Sequence, residues 1–549
     1  MSSEEQKVLC KEILSPEEMF GCISRRTLDI YAGSIRGERE DFIEHAHRVQ
    51  DLVEEFAGED LPPEAISLAL VHDVVDRMIN RESTKYNEDR AKEAAKALLE
   101  LFDDETISHE QLKYASCILV DMIKVEQSAA YHRKQMADIT QEDNESQGNA
   151  NFKEIYPLIA QRYMGDIPPE KWEIAQPLLD LNHMRREMEE VNIEAFIIKS
   201  AELLDNLRYP SSKRQSAILQ DVLEAESFYA PILEAMGYEG FAAELRSAGK
   251  IRRLFGQDRK DLVEYAAEIQ NTVLQIGIGK IADKVFGEND STISYAVGKA
   301  DSSDDYPIHM GEFAAETRHG NMVAGNWRVK SVGSLADKLK GGDGIMDIVG
   351  MMVISEDRKS VARDFANFIA YRLPEFKPVS SRNKTRPVYI QGTQKYVNYI
   401  EEQLHALGID SGQYLVKIDT EETIEKRGYP SYEVSKVTFS AEVDGIETPI
   451  EVQFITKDER QRARTGKVSH VGYKYLQGNG YSDKKLGEEK PSERLKRLDI
   501  VASAEETLKA LYKRRYDMKT SSKAGRLELN PASEDNQNTF LENLMTFLA

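Results

Sequence analysis

The feature that most constrains the fold is a change in hydrophobic periodicity within the 549-residue chain. Up to about residue 275, apolar residues recur three and four apart, as they do along one face of an α-helix. After about residue 325, short β-rich runs follow, including YEVSKVTFSAEV and IETPIEVQFI on either side of Asp444–Gly445. An Asp-Gly pair between two such runs is a strong hairpin signal. The pattern therefore predicts an all-α region followed by an α+β region.

Charge and composition narrow the classes of partner. The chain has 95 acidic and 72 basic residues and a formal charge of −23, which argues against a broad nucleic-acid-binding surface but permits a local basic pocket. No run of about 18 apolar residues occurs, so we expect no membrane span. The first residues, MSSEEQKVLCKEIL, lack the order of a signal peptide, and the three cysteines form neither a disulfide framework nor a zinc motif. These features predict a cytoplasmic protein, and they indicate no oligomeric state.

The helical half contains residue types that bind metals. His45 lies in FIEHAHRV, His72–Asp73 in LVHDVVD, and Glu202, Asp205 and Asn206 in KSAELLDNLR. The last three residues are spaced i, i+3 and i+4, so they share one helix face. Imidazole and carboxylate groups suit a first-row divalent metal, which activates water when a coordination position is open. A lone His-Asp pair is a common accident, but the ordered combination indicates a metal site.

The second half combines cations with carboxylates on strands. The segment RVKSVGSLADKLK (328–340) contributes Arg328, Lys330, Ser334 and Lys338. Asp347 opens an apolar strand, and the alternation of IEVQF places Glu451 and Gln453 on the same strand face. Two strand carboxylates beside a cationic segment suit a magnesium-bound polyphosphate. The alternatives are a solvated helix face for 328–340 and an exposed strand face for Glu451.

Taken in order, these segments resemble the RelA/SpoT homologue family. FIEHAHRV, LVHDVVDRM and IIKSAELLDNLR are similar to its HD hydrolase domain, and ESFYAPILEAMGYEG is similar to the connection that follows. RVKSVGSLADKLK, DIVGMMVI, RGYPSYEVSKVTF, IEVQFIT and VSHVGYKY are similar to its synthetase domain. The resemblance implies (p)ppGpp metabolism in the stringent response, with guanine nucleotides and ATP as ligands. The activities implied are hydrolysis of the 3′-pyrophosphate and pyrophosphate transfer from ATP to GDP or GTP.

The resemblance also implies roles for individual residues. Mn²⁺ would be held by His45, His72, Asp73 and either Glu202 or Asp205, with Asp76 as a catalytic carboxylate and Asn206 contacting the nucleotide. Mg²⁺ and catalysis at the second site would involve Asp347 and Glu451. The nucleotide-binding residues there would be Arg328, Lys330, Ser334 and Lys338 for the ATP phosphates, Tyr429 for the acceptor base, and Gln453, His470 and Lys474 nearby.

The chain departs from the family pattern at several of these positions. Glu202 stands where the family has Asp, and Asp76–Arg77 stands where it has a Glu-Asp pair. Met352 and Ile455 replace two strand arginines, and Glu433 replaces a histidine. The stretch KPVSSRNKTRPVYIQGTQK (377–395) has five basic residues and no acid. That stretch either replaces the lost cations or is a basic surface loop.

The expected fold is multidomain, with an all-α HD-type helical domain followed by an α+β nucleotidyltransferase-like domain. We expect the helical domain over 1–210, a helical bridge over 211–325, the synthetase-like domain over 326–480, and a C-terminal helix with a disordered tail over 481–549. Two other functions remain open. One is an HD phosphohydrolase acting on another nucleotide, with a non-catalytic nucleotide-sensing second domain. The other is a non-enzymatic, nucleotide-regulated interaction protein.

Overall fold

A computed structural model describes about half of the chain. The described residues are 35–36, 40–58, 60–72, 117–122, 124–125, 191–210, 213, 215–287, 292–293, 296–297, 306–316, 322–341, 345, 347–379, 387–410, 412, 414–421, 424, 431–465 and 513. The chain divides into two compact units, Met1–Leu245 with Ala510–Asn530, and Arg246–Lys509 with Pro531–Ala549. The expected C-terminal helix and tail lie outside the described residues, apart from position 513.

The described part of the first unit is helical except for a small two-stranded ladder. Its elements are β1 (Ile35–Arg36), β2 (Glu40–Asp41), α1 (Phe42–Ala57), α2 (Pro63–Leu68), α3 (Ile193–Arg208), α4 (Gln215–Glu224), α5 (Ala230–Ala235) and the start of α6 (Glu239–Gly256). Helix α3 is buried on nearly every side, which explains its almost continuous apolar sequence IEAFII. Phe196 of α3 stacks on Tyr229, with 5.2 Å between ring centroids.

The second unit places helices around a mixed sheet. Its helices are α7 (Lys260–Ile276), α8 (Ile278–Phe286), α9 (Val332–Lys340), α10 (Arg358–Asn367), α11 (Gln394–Ala406) and α12 (Lys457–Thr465). Its strands are β3 (Thr292–Ile293), β4 (Ala296–Val297), β5 (His309–Glu316), β6 (Met322–Val329), β7 (Val349–Ser355), β8 (Lys377–Pro378), β9 (Val388–Thr393), β10 (Leu415–Asp419), β11 (Val434–Val443) and β12 (Ile446–Thr456).

The sheet order places β7, which begins just after Asp347, beside β12, which carries Glu451. Neighbouring strands follow the order β10-β9-β11-β12-β7-β6-β5-β3, with β4 on β5 and β8 on β11. The pairs β10/β9 and β12/β7 are parallel, and the other pairs are antiparallel. The register aligns Arg328, Gly350 and Glu451 in one row across β6, β7 and β12. Arg328 and Glu451, although two strands apart, therefore lie on the same face of the sheet.

The opposite face of the sheet forms the apolar core. Alternate residues of the central strands are buried there, and the largest of them include Trp327, Phe439 and Phe454. Phe365 of α10 packs edge-on against Phe454. Gly325 permits close approach of β6 to β7, because a Cβ at that position would lie 1.7 Å from the carbonyl oxygen of Met352.

Several predictions made from the sequence can be compared directly with the structure. The second region is α+β, and the hairpin at Asp444–Gly445 is confirmed, with both turn residues at positive φ. The expected helical bridge over 211–325 differs in its second half, where β3, β4, β5 and the first residues of β6 belong to the sheet. Within the described residues, no helix is both long and apolar enough to cross a membrane.

Candidate functional sites

Two buried histidines face each other in the first unit, and we call them the histidine pair. His45 lies on the buried stripe of α1 with Val49 and Val53, and His72 follows the 3₁₀ turn Ala69–Val71. Both side chains are fully buried. Their Nε2 atoms are 3.0 Å apart, and the rings meet edge to face. Residues 27 positions apart thus present two ring nitrogens to one point.

The other ring nitrogens determine the tautomers of the histidine pair. The Nδ1–H of His72 donates to the carbonyl oxygen of Ala69 at 2.6 Å, and the Nδ1–H of His45 donates to Oδ2 of Asp205 at 2.5 Å. A neutral imidazole that donates from Nδ1 carries a lone pair on Nε2. Two facing lone pairs repel, so the 3.0 Å contact is stable only with a cation, either a proton or a metal ion, shared between them.

The spacing of the histidine pair fits two ligands of one metal ion. Two nitrogens that occupy adjacent positions of an octahedral metal ion, each about 2.1 Å from the metal, lie about 3.0 Å apart. Within the described residues, no group of three or more histidine, cysteine, aspartate and glutamate side chains is placed to hold a metal ion. The fit therefore rests on the two imidazoles. Asp73 and Asp76, also expected at this site, lie outside the described residues.

Asp205 orients His45 and does not point a carboxylate oxygen at the shared Nε2 position. Arg48 donates from Nε to Oδ1 at 2.7 Å and from Nη2 to Oδ2 at 3.1 Å, and His45 takes the remaining position on Oδ2. Burial raises the pKa of Asp205, but the hydrogen bonds from His45 and Arg48 outweigh it and hold the pKa below its usual value. Hydrogen-bonded carboxylates of this kind fix the ring of a ligating histidine.

Glu202 lies one turn before Asp205 on α3 and is paired with a buried cation. The Lys199 ammonium group contacts its carboxylate, and both side chains are nearly inaccessible to solvent. Burial raises the pKa of Glu202, but Lys199, His72 and His45 together hold it well below its usual value. Glu202 is therefore ionised beside the histidine pair. Asn206 is also buried on α3.

In the second unit, Lys330, Lys338 and Asp347 form a compact group that we call the lysine–aspartate cluster. The Lys338 ammonium lies 2.5 Å from Oδ1 of Asp347, and the Lys330 ammonium contacts Oδ2. Lys330 also donates to the backbone carbonyl of Asp347 at 3.2 Å. Burial raises the pKa of Asp347, but the two lysines hold it below its usual value. Burial lowers the pKa of Lys330 to about 8 in spite of this contact.

Glu451 lies on the polar face of the sheet and is held at both oxygens. Gln453 donates to its Oε1 at 2.6 Å, and the Lys436 ammonium lies 3.4 Å from its Oε2. Lys436 also lies over the ring of Tyr389, 5.6 Å from the centroid. Burial lowers the pKa of Lys338, but the contact with Asp347 outweighs it and raises the pKa above its usual value, with a smaller contribution from Glu451.

The remaining cations and the hydroxyl are arranged around this face. Arg328 is exposed, and its side chain lies over Gly350, where an added Cβ would be 3.5 Å from Cγ and Nε. Ser334 is in the first turn of α9, where its hydroxyl accepts from Lys250 at 3.2 Å and lies 3.1 Å from Oγ of Ser331. Tyr429, His470 and Lys474 lie outside the described residues.

Positions 352 and 455, where the resemblance to the RelA/SpoT family leads one to expect arginines, are apolar. Ile455 is fully buried with Ile354 and Val434, and Met352 packs against them. A cation reaches this cluster from α12, because Nη1 of Arg460 lies 3.3 Å from the Met352 sulfur. The basic stretch 377–395 contains β8 and β9 within its described residues. Its Lys377 pairs with Glu447 at 3.0 Å.

Next to this cluster, two buried carboxylates come together. Glu433 contacts Arg358 and accepts from the Thr393 hydroxyl at 2.6 Å, and its backbone N–H donates to Glu459 at 3.4 Å. Glu459 also contacts Arg462. Burial raises the pKa of Glu459 to about 7, although Arg462 partly offsets the shift. Glu433 is thus built into an ion-pair network.

We predict that Glu459 makes stability depend on pH between about 4.5 and 7. Its raised pKa means that the native state keeps a proton that the unfolded state releases, so the free energy of unfolding falls as pH rises through this window. Across this window the free energy of unfolding of the wild-type protein should fall by up to about 3 kcal/mol relative to that of Glu459→Gln. Urea unfolding followed by Trp327 fluorescence in a Trp172→Phe background measures it. A constant difference across the window would refute the prediction.

Sequence reasoning missed the groups that hold the expected residues in place. Arg48 lies three residues after His45, and Lys199 lies three residues before Glu202. A charge three residues from a candidate ligand on the same helix is a usable signal, because such residues are neighbours on the helix surface. For Lys436 the sequence offered a weaker indication. Lys436 and Thr438 alternate with apolar residues along β11, which places both on the polar face of the strand.

Comparison with protein-family models found no matching family, and comparison with curated proteins found no matching protein.

Proposed function

We propose that the protein is a (p)ppGpp-metabolising enzyme of the RelA/SpoT type. The helical unit would be an HD-type phosphohydrolase domain that removes the 3′-pyrophosphate with Mn²⁺. The sheet unit would be a nucleotidyltransferase-like domain that transfers pyrophosphate from ATP to a guanine nucleotide with Mg²⁺. The observation that carries the proposal is the histidine pair, whose buried Nε2 atoms face each other at 3.0 Å and require a shared cation.

The residues of the hydrolase site have separable tasks. His45 and His72 would hold the metal together with Asp73, and Glu202 would join them only if its carboxylate turned away from Lys199. The metal would supply a Lewis acid and an activated water. Asp205 holds His45 in the tautomer that exposes Nε2. Lys199 keeps Glu202 ionised beside the histidine pair, and Asn206 would contact the nucleotide.

We predict that Asp205→Asn weakens metal binding without abolishing it. Asparagine leaves the charge of Arg48 uncompensated and holds the Nδ1–H of His45 less strongly. Loss of such a partner costs about 10–100-fold in metal affinity. Mn²⁺ titration followed by calorimetry gives the affinity, and thermal unfolding without metal reports any loss of fold. An affinity equal to wild type would show that Asp205 does not act through His45.

For the transfer reaction, the support comes from the lysine–aspartate cluster and Glu451. Lys330, Lys338 and Arg328 offer charged donors to a polyphosphate, and Ser334 adds a hydroxyl. The carboxylates of Asp347 and Glu451 are at present paired with lysines. This donor set fits Mg²⁺ that arrives with phosphates better than it fits Mg²⁺ alone, because phosphates would draw the ammonium groups away.

One observation favours a second candidate function, a phosphohydrolase with a nucleotide-sensing sheet domain. Met352 and Ile455 form an apolar cluster where the family has two arginines, and the nearby Arg460 contacts the sulfur of Met352. Loss of cations that hold a transferring group normally damages the transition state more than the ground state. This reading predicts nucleotide binding by the sheet unit without transfer.

Two assays of the purified full chain test the proposal. The first incubates labelled ppGpp with Mn²⁺, and the second incubates labelled ATP with GDP or GTP and Mg²⁺. Release of pyrophosphate in the first and formation of ppGpp or pppGpp in the second support the full proposal. Hydrolysis without transfer supports the hydrolase part alone, and no turnover in either assay overturns the proposal. The second candidate, a phosphohydrolase that acts on another nucleotide, is supported if the sheet unit binds a nucleotide while neither ppGpp hydrolysis nor transfer occurs.

A further inference from the structure

In the lysine–aspartate cluster, the Asp347 carboxylate already occupies the donors that a ligand would need. Two ammonium groups converge on one carboxylate, with Lys338 2.5 Å from Oδ1 and Lys330 in contact with Oδ2. The Asp347 side chain is 27% exposed and that of Lys330 is 15% exposed. The carboxylate therefore occupies the place where an incoming phosphate would meet the same two donors.

The backbone of the cluster is fixed before any ligand arrives. The N–H of Lys330 donates to the carbonyl of Ile348 at 2.8 Å, and its carbonyl accepts from the buried amide of Gln270 at 3.0 Å. Ser331 caps α9 by accepting from the N–H of Ser334, which sets the start of the helix that carries Lys338. The two lysines can thus exchange partners by motion of their side chains.

We propose that Asp347 makes this site take up a polyphosphate and a divalent cation as a coupled pair. A polyphosphate that binds Lys330 and Lys338 must displace the Asp347 carboxylate. The displaced carboxylate is stabilised only if another cation replaces the lysines, and a divalent ion carried by the phosphates supplies it. Without that ion, phosphate and carboxylate compete for the same ammonium groups.

This inference rests on the proposed function for its ligand class, a triphosphate chain, and it adds a coupling that the transfer reaction does not require. Coupling free energies are reciprocal, and ordinary ones change affinity by about 5–150-fold. Removing the Asp347 charge should abolish the competition. We therefore expect Asp347→Asn to bind metal-free inorganic tripolyphosphate about tenfold more tightly than wild type.

Calorimetry with inorganic tripolyphosphate tests the coupling, with EDTA in one arm and excess Mg²⁺ in the other. The wild type should bind the magnesium complex more tightly than the free anion. In Asp347→Asn this advantage should shrink or reverse, because metal-free binding improves and a magnesium ligand is lost. Asp347→Ser provides a second variant if the first does not fold.

Asp337→Asn is the matched control, because it removes one negative charge from α9, the helix that carries Lys338. Asp337 pairs with Arg253 at 3.2 Å, not with Lys330 or Lys338. Its substitution should change metal-free and magnesium-bound affinities by similar small factors. An equal gain in Asp337→Asn, unchanged metal-free affinity in Asp347→Asn, or no tripolyphosphate binding by wild type overturns the inference. If calorimetry shows the coupling but the transfer assay yields no product, only the transferase part of the proposed function is contradicted.

Discussion

Replacing His72 by alanine is expected to remove Mn²⁺ binding and to lower ppGpp hydrolysis at least about 1,000-fold. The substitution takes away one of the two nitrogens that face each other at 3.0 Å and leaves His45 alone at the site. A catalytic metal supplies several kcal/mol of transition-state stabilisation, and about 4 kcal/mol corresponds to this factor in rate. Metal content of the purified protein and single-turnover hydrolysis of labelled ppGpp measure the two effects.

The matched control is His47→Ala. His47 is exposed on α1, two residues from His45 and on another face of the helix. This variant should keep the metal content and the hydrolysis rate of the wild type. Because His72 is buried, thermal unfolding of both variants in EDTA separates a lost site from a lost fold. If His72→Ala folds and keeps its metal, the two Nε2 atoms share only a proton and the hydrolase proposal fails.

The residue types at the histidine pair were predictable from sequence, whereas their division of labour was not. His45, His72, Glu202 and Asp205 could be chosen because imidazole and carboxylate groups bind first-row metals and because their order along the chain resembles that of the family. The family resemblance favoured Glu202 as the fourth ligand and left Asp205 as a fallback for the same role. The structure separates them, because Arg48 and the Nδ1–H of His45 occupy the oxygens of Asp205. That distinction depends on partners 160 and 157 positions away, which no local pattern records.

The sheet shows the same division between local and long-range information. The hairpin of β11 and β12 was predictable, because its turn chemistry lies within two residues. Strand β5 was missed because HMGEFAAE contains none of the β-branched residues that mark strands. Pairing with β6 and burial of Phe313 hold it in the sheet, and both depend on tertiary packing.

The cation that approaches the apolar cluster illustrates a further limit. The sequence shows Met352 and Ile455 where the family has arginines, but it does not show which cation reaches them. Arg460 is 108 positions from Met352 and reaches its sulfur only because α12 follows directly after β12, which pairs with β7. Such compensation depends on strand order, and strand order could not be derived from the sequence.

Glu451→Gln is expected to lower pyrophosphate transfer about 100–1,000-fold while leaving nucleotide binding within a factor of a few. Glutamine keeps the shape of the side chain but loses the charge that faces Lys436 and the capacity to accept a proton. General-base and electrostatic roles of single groups have effects of this size. Initial rates of label transfer from ATP to GDP give the loss, and calorimetry with a non-hydrolysable ATP analogue gives the binding.

The control for this variant is Glu442→Gln, which makes the same change at an exposed position on the adjacent strand β11. Its transfer rate should equal that of the wild type. If Glu451→Gln transfers at the wild-type rate, Glu451 is a structural partner of Lys436 and Gln453 and not a catalytic group. If the wild type transfers nothing, Glu451→Gln has no rate to lose. The binding arm then decides between a degenerate site and a sensing domain, because only a sensing domain retains both nucleotides.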